Sequence, residues 1–204
     1  MSFRVRRAGI VIFAVAVLML VPKVSHAGTH DHQGGFFLRL SPGLGAAKTQ
    51  RESLLGTLKM SGTCNDINIA IGGIIYPNLA LHATLFGWLV DDPKLEVARA
   101  SHVTTRDLNL SAFGGGLTYY IMPLNLYISG SLGSGTLSLE EPGGEGETNS
   151  GPVFDLTIGK EWWVSSRWGL GAAASFGYHS IPEKGADDNW SGTSFVLRFS
   201  ATMN

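Results

Sequence analysis

The sequence predicts an all-β fold: an eight-stranded antiparallel, up-and-down transmembrane β-barrel that follows a cleaved signal peptide. Three observations predict it: an export signal at the start, apolar and polar residues alternating with a period of two along the rest, and connections that are short and long by turns. Composition agrees, because 27 glycines, 44% hydrophobic residues and 15% charged residues describe neither a disordered chain nor an ordinary soluble enzyme.

Residues 1–27 carry the export signal. Arg4, Arg6 and Arg7 form a basic start, Ala8 to Val21 is an apolar run, and Ser25-His26-Ala27 offers small residues at the positions signal peptidase reads. The run is shorter than the roughly 20 residues a helix needs to cross a bilayer. Cleavage after Ala27 leaves residues 28–34 as a flexible leader and 35–204 as the barrel. Cys64 is the single cysteine and lies far from the cleavage site, so neither an internal disulfide nor a lipoprotein anchor is available.

The strands follow in order. The first sets Phe36, Leu38, Leu40 and Leu44 against Phe37, Arg39, Ser41 and Gly43; Pro42, lacking an amide hydrogen, calls for a local bulge. The second sets Ile67, Ile69, Ile71 and Ile75 against Asn68, Ala70 and Gly72, and the third sets Leu79, Leu81, Ala83, Leu85 and Leu89 against His82, Thr84 and Trp88. The fourth, about Leu108 to Ile121, alternates Leu108, Leu110 and Ala112 with Asn109 and Ser111 and then blurs at Gly114-Gly115-Gly116. The fifth opposes Leu126, Ile128 and Leu132 to Tyr127, Ser129 and Ser131; the sixth opposes Phe154, Leu156, Ile158 and Trp162 to Asp155, Thr157 and Glu161. In the seventh Trp168, Leu170, Ala172, Ala174, Phe176 and Tyr178 face away from Gly169, Gly171, Ser175 and His179, and in the eighth Phe195, Leu197, Phe199, Ala201 and Met203 face away from Ser194, Arg198, Ser200 and Thr202.

Tyr76-Pro77-Asn78, Met122-Pro123-Leu124 and Ser165-Ser166-Arg167 are too short for anything but antiparallel hairpins. Between them Lys48 to Thr63, Asp91 to Arg106, Glu140 to Ser150 and Pro182 to Asn189 read as long polar links. Alternation of this kind gives a barrel one plain end and one elaborate end, with both termini at the plain, periplasmic end. Phe36, Tyr76, Tyr119, Tyr120, Trp162, Trp163, Trp168 and Phe199 fall near that end as an aromatic girdle at the membrane–water interface. Period-two alternation does not by itself say which face is outside. The export signal, the turn asymmetry and the girdle assign the large branched set to lipid and the small polar set to a narrow interior.

The charge pattern excludes one class of partner. Arg4, Arg6, Arg7 and Lys23 are four of the 15 basic residues, which leaves 11 against 16 acids beyond the signal, a net charge of about −5 with no basic face for nucleic acid.

Three stretches, Gly35-Phe36-Phe37-Leu38-Arg39-Leu40, Gly159-Lys160-Glu161-Trp162-Trp163-Val164 running on to Trp168-Gly169-Leu170-Gly171, and the alternating final strand, resemble the small eight-stranded bacterial outer-membrane β-barrel family, the OmpA/OmpX-like group. The resemblance spans the whole mature chain and implies an outer-membrane location in a Gram-negative envelope. It also implies membrane lipids, lipopolysaccharide and the outer-membrane assembly machinery as partners, a monomeric state and no cofactor. Such barrels usually finish on a terminal aromatic residue, whereas this chain finishes Thr202-Met203-Asn204, with Phe199 the nearest aromatic.

Charges inside a narrow lumen must pair. Arg39, Asp155, Glu161 and Arg198, with His82 and His179 near them, are therefore expected as an interior ion-pair network that plugs the barrel; a small gated pore is the alternative. His30-Asp31-His32 offers metal-friendly ligands on flexible backbone without a fixed fourth donor, so no metal site is assigned. Ser101, His102, His179 and Ser180 lie toward the long-loop end, where a lipid acyl hydrolase or transferase would work, but no acid at a diagnostic spacing joins them. The leading expectation is a structural or surface-interaction barrel without enzymatic activity, with acidic loops at Glu140 to Glu147 and Glu183 to Asp188; a lipid-modifying enzyme is the alternative.

Overall fold

A computed structural model describes residues 32, 35–53, 56–97, 100–103, 106–141 and 144–203; the segment 1–27 expected as a signal peptide, His30 and Asp31 lie outside them. The described chain is β structure throughout. In chain order the strands are β1 (Gly35–Ser53), β2 (Gly56–Tyr76), β3 (Leu79–Val90), β4 (Lys94–Val97), β5 (Ala100–Val103), β6 (Leu108–Ile121), β7 (Leu126–Glu141), β8 (Gly144–Glu147), β9 (Gly151–Trp163), β10 (Trp168–Pro182) and β11 (Asn189–Met203).

Eight of these strands, β1, β2, β3, β6, β7, β9, β10 and β11, pair antiparallel with their chain neighbours, and β1 also pairs with β11, so the sheet closes into a barrel. The other three elaborate one end. The β4–β5 hairpin adds to the outer part of β2, and β8 folds back on β7. The links the sequence assigned as loops are thus largely strand: residues 48–53 and 56–63 continue the first hairpin in unbroken register, from Gly35 opposite Ile74 to Ser53 opposite Gly56. Polar residues there reflect water outside the strand, not the absence of a ladder.

Pro42 makes no bulge. Its register against β2 runs without a shift, and only Ser41 and Pro42 drop out of the pairing with β11. Each strand residue points its N–H at one neighbour only, so the missing donor costs a single ladder position and the opposite seam holds the strand in phase. The irregularity in the β2–β3 pairing sits between Ile74 and Tyr76, where the chain enters the Pro77-Asn78 turn and Asn78 takes a left-handed φ of 66°.

Burial reverses that of a soluble barrel over the half nearest the short turns. Ile67, Ile71, Leu81, Leu85, Leu117, Ile128, Leu132, Ile158 and Leu197 are exposed on the outside, up to 73% for Leu197, while Arg39, Asp66, Asn68, Thr118, Asp155, Glu161 and Arg198 are buried inside. The exposed apolar band has an upper limit through Leu44, Ile67, Leu85, Phe113, Leu132, Phe154, Tyr178 and Phe195, and a lower one through Phe36, Tyr76, Tyr119, Trp162 and Trp168. Trp168 and Tyr178 bound it on β10, ten positions apart. A tilted strand crosses a bilayer in about 9–11 residues, so the band has the height of a membrane.

Above the band the pattern flips. Leu108, Leu110 and Ala112 of β6 point inward and Ser111 points out, whereas below Gly114 the apolar Leu117, Tyr119 and Ile121 point out. The blur at Gly114-Gly115-Gly116 is this change of phase. Gly116 itself has no room for a side chain, since a Cβ there would lie 2.6 Å from His82 Cε1 and Ser131 Oγ inside the lumen.

Candidate functional site

The lumen has two storeys, which we call base (the short-turn end) and mouth (the end bearing β4, β5 and β8). The base is polar. At its centre Arg198 on β11 reaches across the barrel. Its Nε donates to Asp66 Oδ1 at 2.6 Å and Nη2 to Asp66 Oδ2 at 3.0 Å, while Nη1 and Nη2 donate to the two Asp155 oxygens at 2.9 Å each. Nη1 also reaches Thr157 Oγ1 at 2.9 Å, and Asp155 accepts hydroxyls from Thr157 and from Ser175. Arg198 stands between Gly43 of β1 and Ala173 of β10, small neighbours that let the guanidinium cross the lumen. A planar fork between two carboxylates is the arrangement that satisfies a buried arginine.

The other two predicted lumen charges follow separate routes. Arg39 donates through Nη2 to Ser129 Oγ at 2.8 Å, and its guanidinium lies 4.6 Å from the centre of the Tyr127 ring. Thr118 donates to Ser129 and shares a hydrogen bond with His82 Nε2, which ties β1, β3, β6 and β7 together. Glu161 takes hydroxyls as partners: Thr202 at 2.6 Å, Ser200 at 3.2 Å and Tyr120 at 3.4 Å. Among the described residues no ion pair joins Arg39 to Glu161. The four charges expected as one network are thus a triad around Arg198, with Asp66 in it, and two groups whose hydrogen bonds go to hydroxyls, Arg39 keeping a buried Nη1 without a hydrogen-bond partner. The large side chains fit because glycines face them, Gly159 under Tyr127 and Gly171 beside Glu161.

Tyr120 belongs to this lumen and not to the girdle. It is fully buried, and its neighbour Tyr119 takes the outward position. Two adjacent tyrosines leave the phase open, and the inward one is fixed by Glu161 and by His32, whose ring stacks on it at 3.7 Å. Of the other aromatics, Phe36, Tyr76, Trp162 and Trp168 are exposed at the base, and Phe199 and Trp163 are partly so. His32, in the stretch assigned as a flexible leader, is 3% exposed inside the base. Its amide and carbonyl bond Asn78, and its Nε2 bonds Asn125 Oδ1 at 3.0 Å, so two of the short turns hold it.

The mouth storey is an apolar core. Ala47, Met60, Cys64, Phe86, Trp88, Val90, Leu108, Leu110, Ala112, Leu137, Val153, Ile181, Trp190 and Val196 form one buried cluster drawn from all eight barrel strands. The expectation that large apolar residues face only lipid is corrected here: above the membrane band the outside is water, and burying apolar groups inside is again favourable. His179 sits in this storey, with Nε2 bonded to Thr49 Oγ1 at 2.9 Å and its ring 5.9 Å from Trp88. It is 1% exposed and carries no carboxylate partner among the described hydrogen bonds. Ser101 and His102 lie on β5 opposite Glu96 and Leu95. Among the described residues no group of three or more His, Cys, Asp or Glu is placed to hold a metal.

No protein-family model and no curated protein matches the chain. Solved structures do. Neisserial surface protein A is 15% identical, with a TM-score of 0.48, over 81% of this chain and 97% of its own. OprG from Pseudomonas aeruginosa is 10% identical, with a TM-score of 0.46, over 87% and 100%. The outer-membrane protease OmpT from Escherichia coli is 8% identical, with a TM-score of 0.44, over 89% and 99%. The closed ladder and the inverted burial stand on the chain's own geometry: it is an eight-stranded antiparallel β-barrel.

Proposed function

We propose that the mature chain spans a bacterial outer membrane as a plugged barrel with a structural or surface-interaction role, its base in the periplasm and its mouth outside. The exposed apolar band, about ten residues high around a polar interior, carries this reading. Its aromatic margins, Trp162 and Trp168 below and Tyr178 above, suit the two interfaces. The Arg198 triad and the apolar core above it fill the cross-section in turn, so the lumen does not conduct. Lipids and lipopolysaccharide surround the band, and acidic residues at the mouth, Glu147, Asp187 and Asp188 among them, meet divalent cations that bridge lipopolysaccharide.

Expression in a Gram-negative host tests the reading. The protein is expected in outer-membrane fractions beginning at Gly28, and Met1 retained in inner membranes overturns it. Planar bilayers holding purified protein are expected to show no conductance steps.

A further inference from the structure

We infer that the mouth holds a binding site for a free single-chain amphiphile with an uncharged or zwitterionic head, a role beyond the plugged-barrel reading. The apolar core does not end flush with the rim. Above it opens a hollow of about 360 Å³ walled by Leu58, Met60, Leu95, Leu108, Leu137 and Leu139. That volume is at the lower end of the ~300–1,000 Å³ usual for small-molecule sites, which are apolar cavities with a few placed polar groups. Taking a methylene to fill about as much space as a water's ~30 Å³ share of the liquid, the hollow takes roughly a dozen carbons.

The rim supplies the polar groups. Arg51 bonds Glu183 at 2.7 Å and lies 5.1 Å from the centre of the Trp190 ring, whose Nε1 also donates to Glu183. Arg106 and Glu147 border the same opening. Among the described residues that line the opening two cations and two anions balance, so these favour neither a fatty-acid carboxylate nor a cationic head, while the buried Arg51 Nε has no partner and can donate to an acceptor on the guest.

The floor is closed, since Trp88 and Leu110 and then the Arg198 triad lie beneath Leu108 and Met60. The walls stand beyond the apolar band: Leu58 is nine positions above Ile67 on β2, and Leu137 five above Leu132 on β7. A bilayer lipid does not reach the hollow from the side. The occupant arrives from the aqueous side, tail first.

The three methionines of the described residues make the test internally controlled. Met60 lines the hollow, whereas Met122 and Met203 lie at the base, in a short turn and at the end of β11. Methyl-labelled methionine is followed by NMR in the barrel in nanodiscs during titration with alkyl phosphocholines below their critical micelle concentrations. The Met60 signal is expected to shift and saturate while Met122 and Met203 stay put. Apparent affinity should rise about fourfold per methylene, until roughly a dozen carbons fill the hollow, and then flatten. Alkyl carboxylates and alkyl trimethylammonium ions of equal length should bind more weakly. Leu137→Trp and, nearer the rim, Leu139→Trp are expected to abolish the Met60 shift, each first shown folded by its faster gel mobility before boiling. The inference is overturned if Met60 does not shift, if all three methyls shift together with lipid uptake, or if a folded tryptophan variant binds as before.

Discussion

The base and mouth of this barrel are built from the same eight strands and obey opposite rules. At the base Arg198, Asp66 and Asp155 are inside and Leu197 is outside; at the mouth Leu110, Trp88 and Met60 are inside and Asn65, Thr63 and Ser111 are outside. The backbone ladder hardly notices the change, and the β1–β2 register runs through both halves. What changes is the medium around the strand. Period two reports that a strand has two faces, and the surrounding solvent decides which face carries the apolar residues.

The sharpest way to break the comparison is to remove the polar tie that the base depends on. Arg198→Leu leaves Asp66 and Asp155 buried and facing each other, and should destabilise the barrel by about 3–5 kcal/mol in a urea titration in liposomes. An Asp66→Asn, Asp155→Asn, Arg198→Leu triple variant should recover much of that loss. The corresponding insult at the mouth is a cavity: Leu110→Ala should cost about 2–4 kcal/mol, with no rescue by charge neutralisation.

Outside the barrel the contrast should be steeper. Leu197→Arg places a cation within the apolar band and should cost about 2–4 kcal/mol, against less than about 0.5 kcal/mol for Thr63→Arg above it. Equal penalties would mean that the band is not a membrane surface. Spin labels at 67 and 63 of β2 sharpen the boundary: dissolved oxygen should relax the first and an aqueous nickel reagent the second. The smallest effect is at the mouth hairpin, where Lys94 hydrogen-bonds Glu96 at 2.8 Å and holds its carboxyl below the usual carboxylate range. A depressed value means that the contribution is present above the unfolded-state value and lost as pH falls through the folded one. Both side chains are about half exposed, so Glu96→Gln should leave the unfolding midpoint where it is, with the low value visible only by NMR.

Much of the base was legible because one period and one medium hold along each strand there. The alternation of Phe36 to Leu44, of Ile67 to Ile75 and of Trp168 to Tyr178 assigns the faces that the structure shows. Asp66 stands in phase with Asn68 and Ala70, so the alternation places it inward in the triad; a strand counted from its first isoleucine, Ile67, stops one residue short of it. The mouth was illegible for a physical reason. Polar outer residues at Lys48, Lys59 and Asn65 look like loop to a rule that expects lipid outside, and the inward Leu108, Leu110 and Leu137 look like lipid-facing positions. His32 had no signal at all, since nothing local announces that a residue before the first strand will be gripped by Asn78 and Asn125.

Closure between β1 and β11 sets the order in which this molecule can assemble. The seam joins Leu38 to Met203 and Arg51 to Trp190, partners more than 130 positions apart, so no part of it exists until the last strand has been made. Contacts of such long range form slowly, and until then β1 and β11 are both open edges ready to pair with a neighbouring chain. Arg198 bears on that interval: from the last strand it passes beneath β1 to grip Asp66 on β2, so its two hydrogen bonds bridge the seam from inside. The same side chain that pairs both aspartates of the base therefore acts as the latch of the ring. Its loss should lengthen the life of the open, aggregation-prone form as well as weaken the closed one.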